Sequence, residues 1–483
     1  MQPDRQRILN PAKTFSIALL LCCITLAGCG KEPRLSTHSP DAIRFYNDGV
    51  VLWEKFYYGE AITALHRSLS LDSAFAMAWM RLAVVHSWIK NDSEASVNMA
   101  RAVAYSPHVT QREQLLIRMW NYRLHFALHE AMLTADSLIW LYPDEKEAYV
   151  FRGNLYELNQ KLDSSIQYYK KAIAIDTAYA QAVMYLGYAY SAGGQQEEAI
   201  EQMDRYIRLA PDAADPRASY ADLLLRVGRY DDALAQYEKS LALKPDFWYS
   251  ANQIGEVYSL LGRLRAAGEQ YHRAVKMLPP SRQLDASLRA RDAGLEFRRG
   301  KTDEAIRQYS EALAIDSNAL DAAFGLAYAL SKQKQFNEAR VVADRIKAEF
   351  ERKNLSQTQI MSGYYLMKSR LLTDEGRLDE ADSLCRNALE FASPLARPQV
   401  YRQFAEIRLR QRAYDAALDA CEEALRINPN SPDGLLTLTR VYHAAGDRRL
   451  TEEIGGRLLV LWKDADPDFQ NALEAQKLAG PGK

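Results

Sequence analysis

Residues 181–211 read QAVMYLGYAYSAGGQQEEAIEQMDRYIRLAP, and the spacing of their residue types decides the fold. The stretch carries small, aromatic and turn-forming residues at set intervals and closes on a proline: Leu186, Gly187, Tyr190, Gly193, Gly194, Ala199, Met203, Tyr206 and Pro211. Residues of the same kinds recur thirty-four positions earlier and at two further steps of thirty-four later. A fixed period of this length predicts stacked copies of one supersecondary unit.

The pattern resembles the tetratricopeptide repeat, in which two antiparallel helices form one unit. The resemblance implies an all-α fold, a right-handed superhelical solenoid of about twelve helix-turn-helix units. The pattern starts near Ala42, and after Pro279-Pro280 it resumes four residues late. Prolines close several second helices because they cannot continue them. Asp212 and Asp246 follow two of these prolines and are predicted to cap the next helix.

The first thirty residues have the features of an export signal. Basic residues precede a short apolar run, residues 15–26, which then ends in Leu26-Ala27-Gly28-Cys29. A run of this length suits the core of a signal peptide better than a membrane-spanning helix. The ending resembles the lipobox of bacterial lipoproteins, which implies cleavage before Cys29 and attachment of lipid to its sulfur. Gly30 favours the outer over the inner membrane in that family, with the protein facing the periplasm or the cell surface.

These features divide the chain into six predicted segments. Residues 1–28 form the lipoprotein signal peptide and 29–41 a polar tether from lipidated Cys29. Residues 42–145 hold the N-terminal units, 146–281 the central regular units and 282–464 the less regular C-terminal units. Residues 465–483 are predicted to be a capping helix and tail, with Phe469, Ala472 and Leu473 facing the repeats, because a repeat array has to cover its last apolar face.

The charge balance and the cysteine content of the sequence argue against several classes of function. Sixty-one basic residues balance sixty-two acidic ones, which argues against attraction of the whole chain to nucleic acid, so no nucleic-acid partner is expected. The five cysteines form neither a disulfide framework nor a zinc motif. Cys385 and Cys421 occupy second-helix positions that hold tyrosine in other units, and they are predicted to be buried free thiols.

The sequence carries no recognisable catalytic motif, such as a phosphate-binding loop, a zinc-protease helix or a nucleophile elbow. We therefore expect a non-enzymatic protein with no cofactor, no catalytic residue and no metal site. In tetratricopeptide proteins the first helix of each unit lines a concave surface, so the resemblance implies a peptide-binding groove. Its predicted residues in the central units are Asn154, Glu157, Tyr188, Asp222, Arg226, Tyr249, Asn252 and Glu256.

This groove mixes polar, aromatic and charged side chains of both signs, which suits an extended peptide. The family's carboxylate clamp places lysine and asparagine on one first helix, whereas Val150 and Asn154 hold those positions here. The sequence thus indicates a lipid-anchored scaffold for peptides or protein subunits in a bacterial envelope assembly of the secretion, pilus or outer-membrane type. The alternative is a sensory or regulatory module whose groove binds a ligand and passes the signal to a partner protein.

Replacing Cys29 with alanine tests the predicted anchor. Loss of the acyl chains should move the protein from the membrane fraction to the soluble fraction, since each buried methylene contributes about 0.8 kcal/mol to membrane binding. Cys23→Ala, inside the predicted signal peptide, is the matched control and should leave the protein with the membrane. A Cys29→Ala protein that stays on membranes after a high-salt wash would contradict the prediction.

Overall fold

The computed structural model describes residues 35–159, 161–352 and 360–480, and these fold into helices joined by short turns. Twenty-five α-helices and one short 3-10 helix account for the regular structure, with no strand in these ranges. Cys29 and the predicted signal peptide lie outside the described residues, as do residues 30–34 of the tether. No helix in the described part of the chain has both the length and the apolar character needed to cross a bilayer.

The helices form twelve consecutive pairs and a final unpaired helix. In chain order they are α1 Pro40–Glu54, α2 Tyr58–Leu71, α3 Ala76–Trp88, α4 Asp92–Tyr105, α5 Gln111–Leu124, α6 Leu128–Leu141, α7 Lys146–Leu158, α8 Leu162–Ile175, α9 Ala180–Ala192, α10 Gln196–Leu209, α11 Asp215–Arg226, α12 Tyr230–Leu243 and α13 Trp248–Leu260. The remaining helices are α14 Leu264–Lys276, α15 Arg282–Arg298, α16 Thr302–Ile315, α17 Leu320–Lys332, α18 Phe336–Arg352, α19 Ile360–Glu375, α20 Leu378–Phe391, α21 Arg397–Arg410, α22 Tyr414–Leu425, α23 Pro432–Ala445, α24 Arg448–Leu461 and α25 Gln470–Ala479. The predicted all-α repeat solenoid is confirmed.

Small residues set the spacing inside each pair. The fourth residue of every second helix is small and buried, as Ala199, Ala233 and Ala267 show. It lets the two backbones approach, since the distance between packed helices depends on the side chains at the contact. At several first-helix glycines a large side chain of the second helix fills the space: Leu65 faces Gly49, Met203 faces Gly187, and a Cβ on Gly153 would come within 2.4 Å of the Tyr169 ring.

In eleven of the twelve pairs the turn has one left-handed residue, two positions before the second helix; in the fourth pair this position, residue 160, lies outside the described residues. It is glycine in the turns at Gly194, Gly228 and Gly262, where φ lies between 75° and 80°. Glycine adopts this conformation without the steric cost that a Cβ adds. The late register after Pro280 has a simple cause. Helix α15 has seventeen residues where α13 has thirteen, so the four extra residues add about one helical turn.

Two details of the sequence prediction are wrong. Asp212 and Asp246 do not cap the helices that follow, because the N-cap residues are Ala214 and Phe247 and neither makes a side-chain cap. In the last helix, Phe469 and Ala472 are buried as predicted, but Leu473 is 44% exposed.

Successive turns of the superhelix touch each other, so units far apart in sequence are neighbours. The first contact joins unit 1 to the start of unit 6 and to the boundary of units 6 and 7. The Tyr57 hydroxyl accepts a hydrogen bond from the Ala214 N–H at 3.1 Å, and its ring lies 6.1 Å from that of Phe247. Lys244 forms an ion pair with Glu60 beside them. After about six units the solenoid has therefore completed one turn.

The second contact, which we call the C-terminal inter-turn contact, joins the turns of units 6–8 to unit 12 and α25. The Trp462 indole donates to the Leu260 carbonyl at 2.9 Å, and the Asp466 N–H donates to the Gly262 carbonyl at 2.9 Å. Arg263 pairs with Asp464 at 2.6 Å. A Cβ on Gly262 would lie 2.4 Å from the fully buried Phe469 ring, so glycine is needed here for contact as well as for φ.

Alanine at Gly262 separates these two roles. Gly194 has φ of 80° and nothing within 4 Å of an added Cβ, so Gly194→Ala reports the backbone cost alone, about 1 to 2 kcal/mol. Gly262→Ala should add about 1 to 3 kcal/mol for the overlap with Phe469. Urea unfolding of both variants measures the difference, and equal destabilisation would contradict the C-terminal inter-turn contact.

Candidate functional site

The inner surface of the solenoid is formed by the first helices. From unit 4 onwards, the residue eight positions before each second helix begins recurs along this surface. These nine residues form what we call the inner column: Asn154, Tyr188, Asp222, Glu256, Gly294, Tyr328, Arg370, Glu406 and Arg440. Asn154 lines one cavity, and the last five line another. The column therefore follows the interior from the central to the C-terminal units.

In the central units the polar groups of the column bond to one another. Asp222 is 7% exposed and accepts three tyrosine hydroxyls, from Tyr188 at 2.6 Å, Tyr237 at 2.5 Å and Tyr249 at 2.8 Å. Burial raises the pKa of all three tyrosines well above the ordinary value. The structure thus brings the predicted residues Tyr188, Asp222 and Tyr249 together in one cluster, joined by Tyr237 from a second helix.

The other predicted central residues lie around this cluster. The Arg226 guanidinium stacks 4.9 Å from the Tyr188 ring centre, and its Nη1 atom is buried without a hydrogen-bond partner in the described chain. Glu256 forms an ion pair with Arg291 of α15, and the Asn252 amide donates to Gln253 at 3.0 Å. None of these residues lines either of the two cavities.

Asn154 and Glu157 lie apart from the rest, at a cavity of about 1260 Å³ that we call the N-terminal cavity. Both accept from the Tyr169 hydroxyl, at 2.7 Å and 3.0 Å, and burial raises the pKa of Glu157. The walls come from units 2–5 and, across the interior, from Arg352 and the 393–395 loop. Trp88 is 43% exposed there, so the cavity offers apolar as well as polar surface.

A second cavity of about 980 Å³, the C-terminal cavity, lies between the first helices of units 8–12 and α25. Its lining includes six basic side chains, Arg298, Lys332, Arg370, Arg402, Arg410 and Arg440, and four acidic ones, Asp374, Glu406, Asp433 and Glu474. The predicted groove contains none of these. The sequence spacing could have identified several of these residues, because they belong to the inner column. Finding them requires extending the repeat pattern past the lengthened α15 and the longer spacer before α19.

Asp215, at the start of α11, is the most perturbed acid near the central cluster. It is 5% exposed and accepts from the Tyr206 hydroxyl at 2.6 Å and from Ser219 at 3.3 Å. Burial raises the pKa of Asp215 to about 7, and the nearby Asp222 carboxylate acts in the same direction. Desolvation disfavours the charged form of the Asp215 carboxyl group. The hydrogen bonds from Tyr206 and Ser219 act in the opposite direction and stabilise the charged form.

Both cysteines in the described part of the chain are buried in the repeats. Cys385 and Cys421 are buried and free, as predicted, and burial raises the pKa of each thiol to about 12. Within residues 35–159, 161–352 and 360–480, no group of three or more His, Cys, Asp or Glu side chains could hold a metal ion.

Comparison with known proteins identifies the repeats. Four segments, residues 146–179, 181–213, 221–282 and 296–355, match models described as tetratricopeptide repeat. No curated protein matches the sequence. Among solved structures, the chain is similar to a human IFIT1 dimer with m7Gppp-AAAA, at 16% identity over 89% of this chain and 91% of that one, with a TM-score of 0.40.

Two further solved structures have similar sequence identities and TM-scores. Yeast Tom70 has 12% identity over 91% of this chain and 94% of its own, with a TM-score of 0.38. A tetratricopeptide repeat protein from Parabacteroides merdae has 15% identity over 54% of this chain and 98% of its own, also with a TM-score of 0.38.

The raised pKa of Asp215 predicts a specific pH dependence of stability. Because the folded-state pKa of about 7 exceeds the ordinary value of 3.8, the folded chain binds the proton more tightly. Stability is therefore highest below about pH 4 for this group and falls as the pH rises towards 7. Asp215→Asn cannot ionise, so relative to wild type its unfolding free energy should rise by up to about 4 kcal/mol between pH 4 and pH 8. Urea unfolding at both pH values measures this, and a constant difference would contradict the assignment.

Proposed function

We propose that this chain, four segments of which match models of the tetratricopeptide repeat, is a lipid-anchored scaffold that binds an extended segment of a protein partner on its inner surface. Repeats of this family generally mediate protein binding without catalysis. The proposed setting is a bacterial envelope assembly, with Cys29 as the lipidated residue. The lipobox-like sequence Leu26 to Cys29 supports the anchor, and the test is the Cys29→Ala variant described above.

The observation that carries the proposal is the pair of cavities on the inner surface. They measure about 1260 and 980 Å³, and first-helix residues contribute half of the walls of the N-terminal cavity and most of those of the C-terminal cavity. Cavities of this size reach or exceed the volume of a usual small-molecule site, so they can accept several side chains of a bound segment. Both mix aromatic and apolar walls with polar groups, which suits recognition of a peptide.

The N-terminal end supports a position close to the membrane. Ser36 donates its N–H to Glu113 at 3.0 Å, and the Thr37 hydroxyl donates to Asp72 at 2.5 Å, so the end of the tether is fixed to units 1–3. Only residues 30–34 separate Cys29 from the described chain. Fully extended, the six steps from Cys29 to Leu35 span about 20 Å. A lipidated Cys29 would therefore hold the first unit near the bilayer surface.

Site-specific photocrosslinking tests the location of the partner. A photoreactive phenylalanine analogue at Tyr328 lies in the C-terminal cavity, and one at Trp88 lies in the N-terminal cavity. Trp140 on the second helix α6 is 81% exposed and serves as the matched aromatic control. In living cells we expect adducts from Tyr328 and Trp88 to the same envelope protein. Adducts from Trp140, with none from the two inner positions, would place the partner on the outer surface and contradict the proposal.

A further inference from the structure

The C-terminal cavity carries more positive than negative charge. Three of its six basic side chains form ion pairs with acidic side chains of the same cavity. Lys332 pairs with Asp374 at 2.9 Å, and Arg440 pairs with Glu474 at 2.6 Å. Arg410 bridges Asp374 and Glu406. These pairs use three of the four acidic side chains, which leaves three arginines for the single remaining carboxylate.

That carboxylate is Asp433, and it pairs with only one of the three. Arg402 reaches it at 2.9 Å, while Arg298 and Arg370 act on it through their charge without an ion pair. Together the three guanidinium groups hold the pKa of Asp433 below its ordinary value. One negative charge among three positive ones leaves two positive charges without a matching anion at the wall of the cavity.

Arg370 is the more exceptional of the two unmatched arginines. Its guanidinium makes no hydrogen bond or ion pair with any residue of the described chain, and its nearest aromatic contact is the Tyr328 ring at 5.7 Å. Burial lowers the pKa of Arg370 because it desolvates the charge, and the nearby Arg402 guanidinium acts in the same direction. The Asp433 carboxylate, which opposes this effect, is already paired with Arg402. Arg298 donates one hydrogen bond, to the Ser259 carbonyl at 3.2 Å.

An unpaired, half-buried cation destabilises the free protein. Desolvation of a charge is unfavourable unless hydrogen bonds and an opposite charge compensate for it, and apolar residues of similar size often stabilise a protein more. Arg370 occupies the inner-column position that holds tyrosine in units 5 and 9. An anionic ligand would supply the missing compensation, since arginine binds carboxylates through two parallel hydrogen bonds.

We propose that the C-terminal cavity binds an acidic segment of the protein partner, with carboxylate side chains at Arg370 and Arg298. This inference rests on the proposed function, because it assigns a ligand class to the same inner surface. The rest of the lining favours a peptide over a small free anion. Phe297, Leu436 and Leu478 offer apolar contacts, while the amides of Gln399 and Asn471 can bond to a peptide backbone.

The test uses the full lipidated chain in detergent and two labelled decapeptides. One alternates glutamate with leucine, and the other has glutamine in place of every glutamate. Fluorescence anisotropy should show saturable binding of the glutamate peptide, at least about tenfold tighter than the glutamine peptide. Its affinity should fall as salt is added, since charge pairs on an accessible surface are screened.

Arg370→Met and Arg298→Met should each weaken the glutamate peptide at least about tenfold and leave the glutamine peptide unchanged. Arg386→Met is the matched control, because Arg386 lies on second helix α20 and pairs with Asp382 at 2.9 Å. It should bind as wild type does. A melting temperature of Arg370→Met at or above that of wild type shows that the variant is folded, and Arg298→Met provides the test if Arg370→Met does not fold.

Three results would overturn the inference: equal affinity for both peptides, unchanged binding in both arginine variants, or equally tight binding of succinate or inorganic phosphate with no gain from the peptide chain. Photocrosslinking from Tyr328 separates this failure from failure of the proposed function. If the Arg370→Met protein still crosslinks to its envelope partner as wild type does, the scaffold function stands and only the acidic ligand class is wrong.

Discussion

The contact between successive turns of the superhelix is the constraint on which the rest of the structure depends. In a simple solenoid each unit touches only its neighbours, and small changes in packing accumulate along the array. Here unit 12 and α25 rest on the turns of units 6–8, where the Gly262 turn receives Phe469 and the Leu260 carbonyl accepts from Trp462. These contacts fix the curvature, and the curvature fixes the width of the interior.

A fixed interior explains why the two halves of the inner surface differ. In the central units the column positions are satisfied from within, since Asp222 already accepts three tyrosine hydroxyls. In the C-terminal units Arg298 and Arg370 face a cavity, and no carboxylate of the described residues forms an ion pair with either of them. A rigid inner surface can keep the two arginines in place in the free protein, so that a ligand binds them without rearrangement. This reduces the entropic cost of binding.

The sequence period predicted the helix pairs and the buried thiols, because these depend on spacing within one or two units. It could not predict the inter-turn contacts, which depend on rotation accumulated over about six units. Leu473 illustrates the limit. Its helix was predicted, but Ala475 is buried in place of Leu473, because α25 packs on an adjacent turn as well as on unit 12.

The candidate site shows a similar division. Tyr188, Asp222 and Tyr249 were correctly placed on first helices, but their mutual hydrogen bonds also involve Tyr237 from a second helix, which spacing alone does not reveal. Arg370 was missed for a different reason. The spacer before α19 shifts the register, so its equivalence to Tyr188 appears only when positions are counted back from the second helix.

Hydrogen exchange at two backbone amides tests the closed superhelix most directly. The Arg265 N–H belongs to the first turn of α14, where helix N–H groups lack partners within the helix, yet it donates to the Asp466 carboxylate at 2.9 Å. The Asp466 N–H in turn donates to the Gly262 carbonyl. Both amides should exchange slowly, while Glu197, at the same position of α10 beside the open Gly194 turn, should exchange fast. Equally fast exchange at Arg265, Asp466 and Glu197 would show that the turns do not meet.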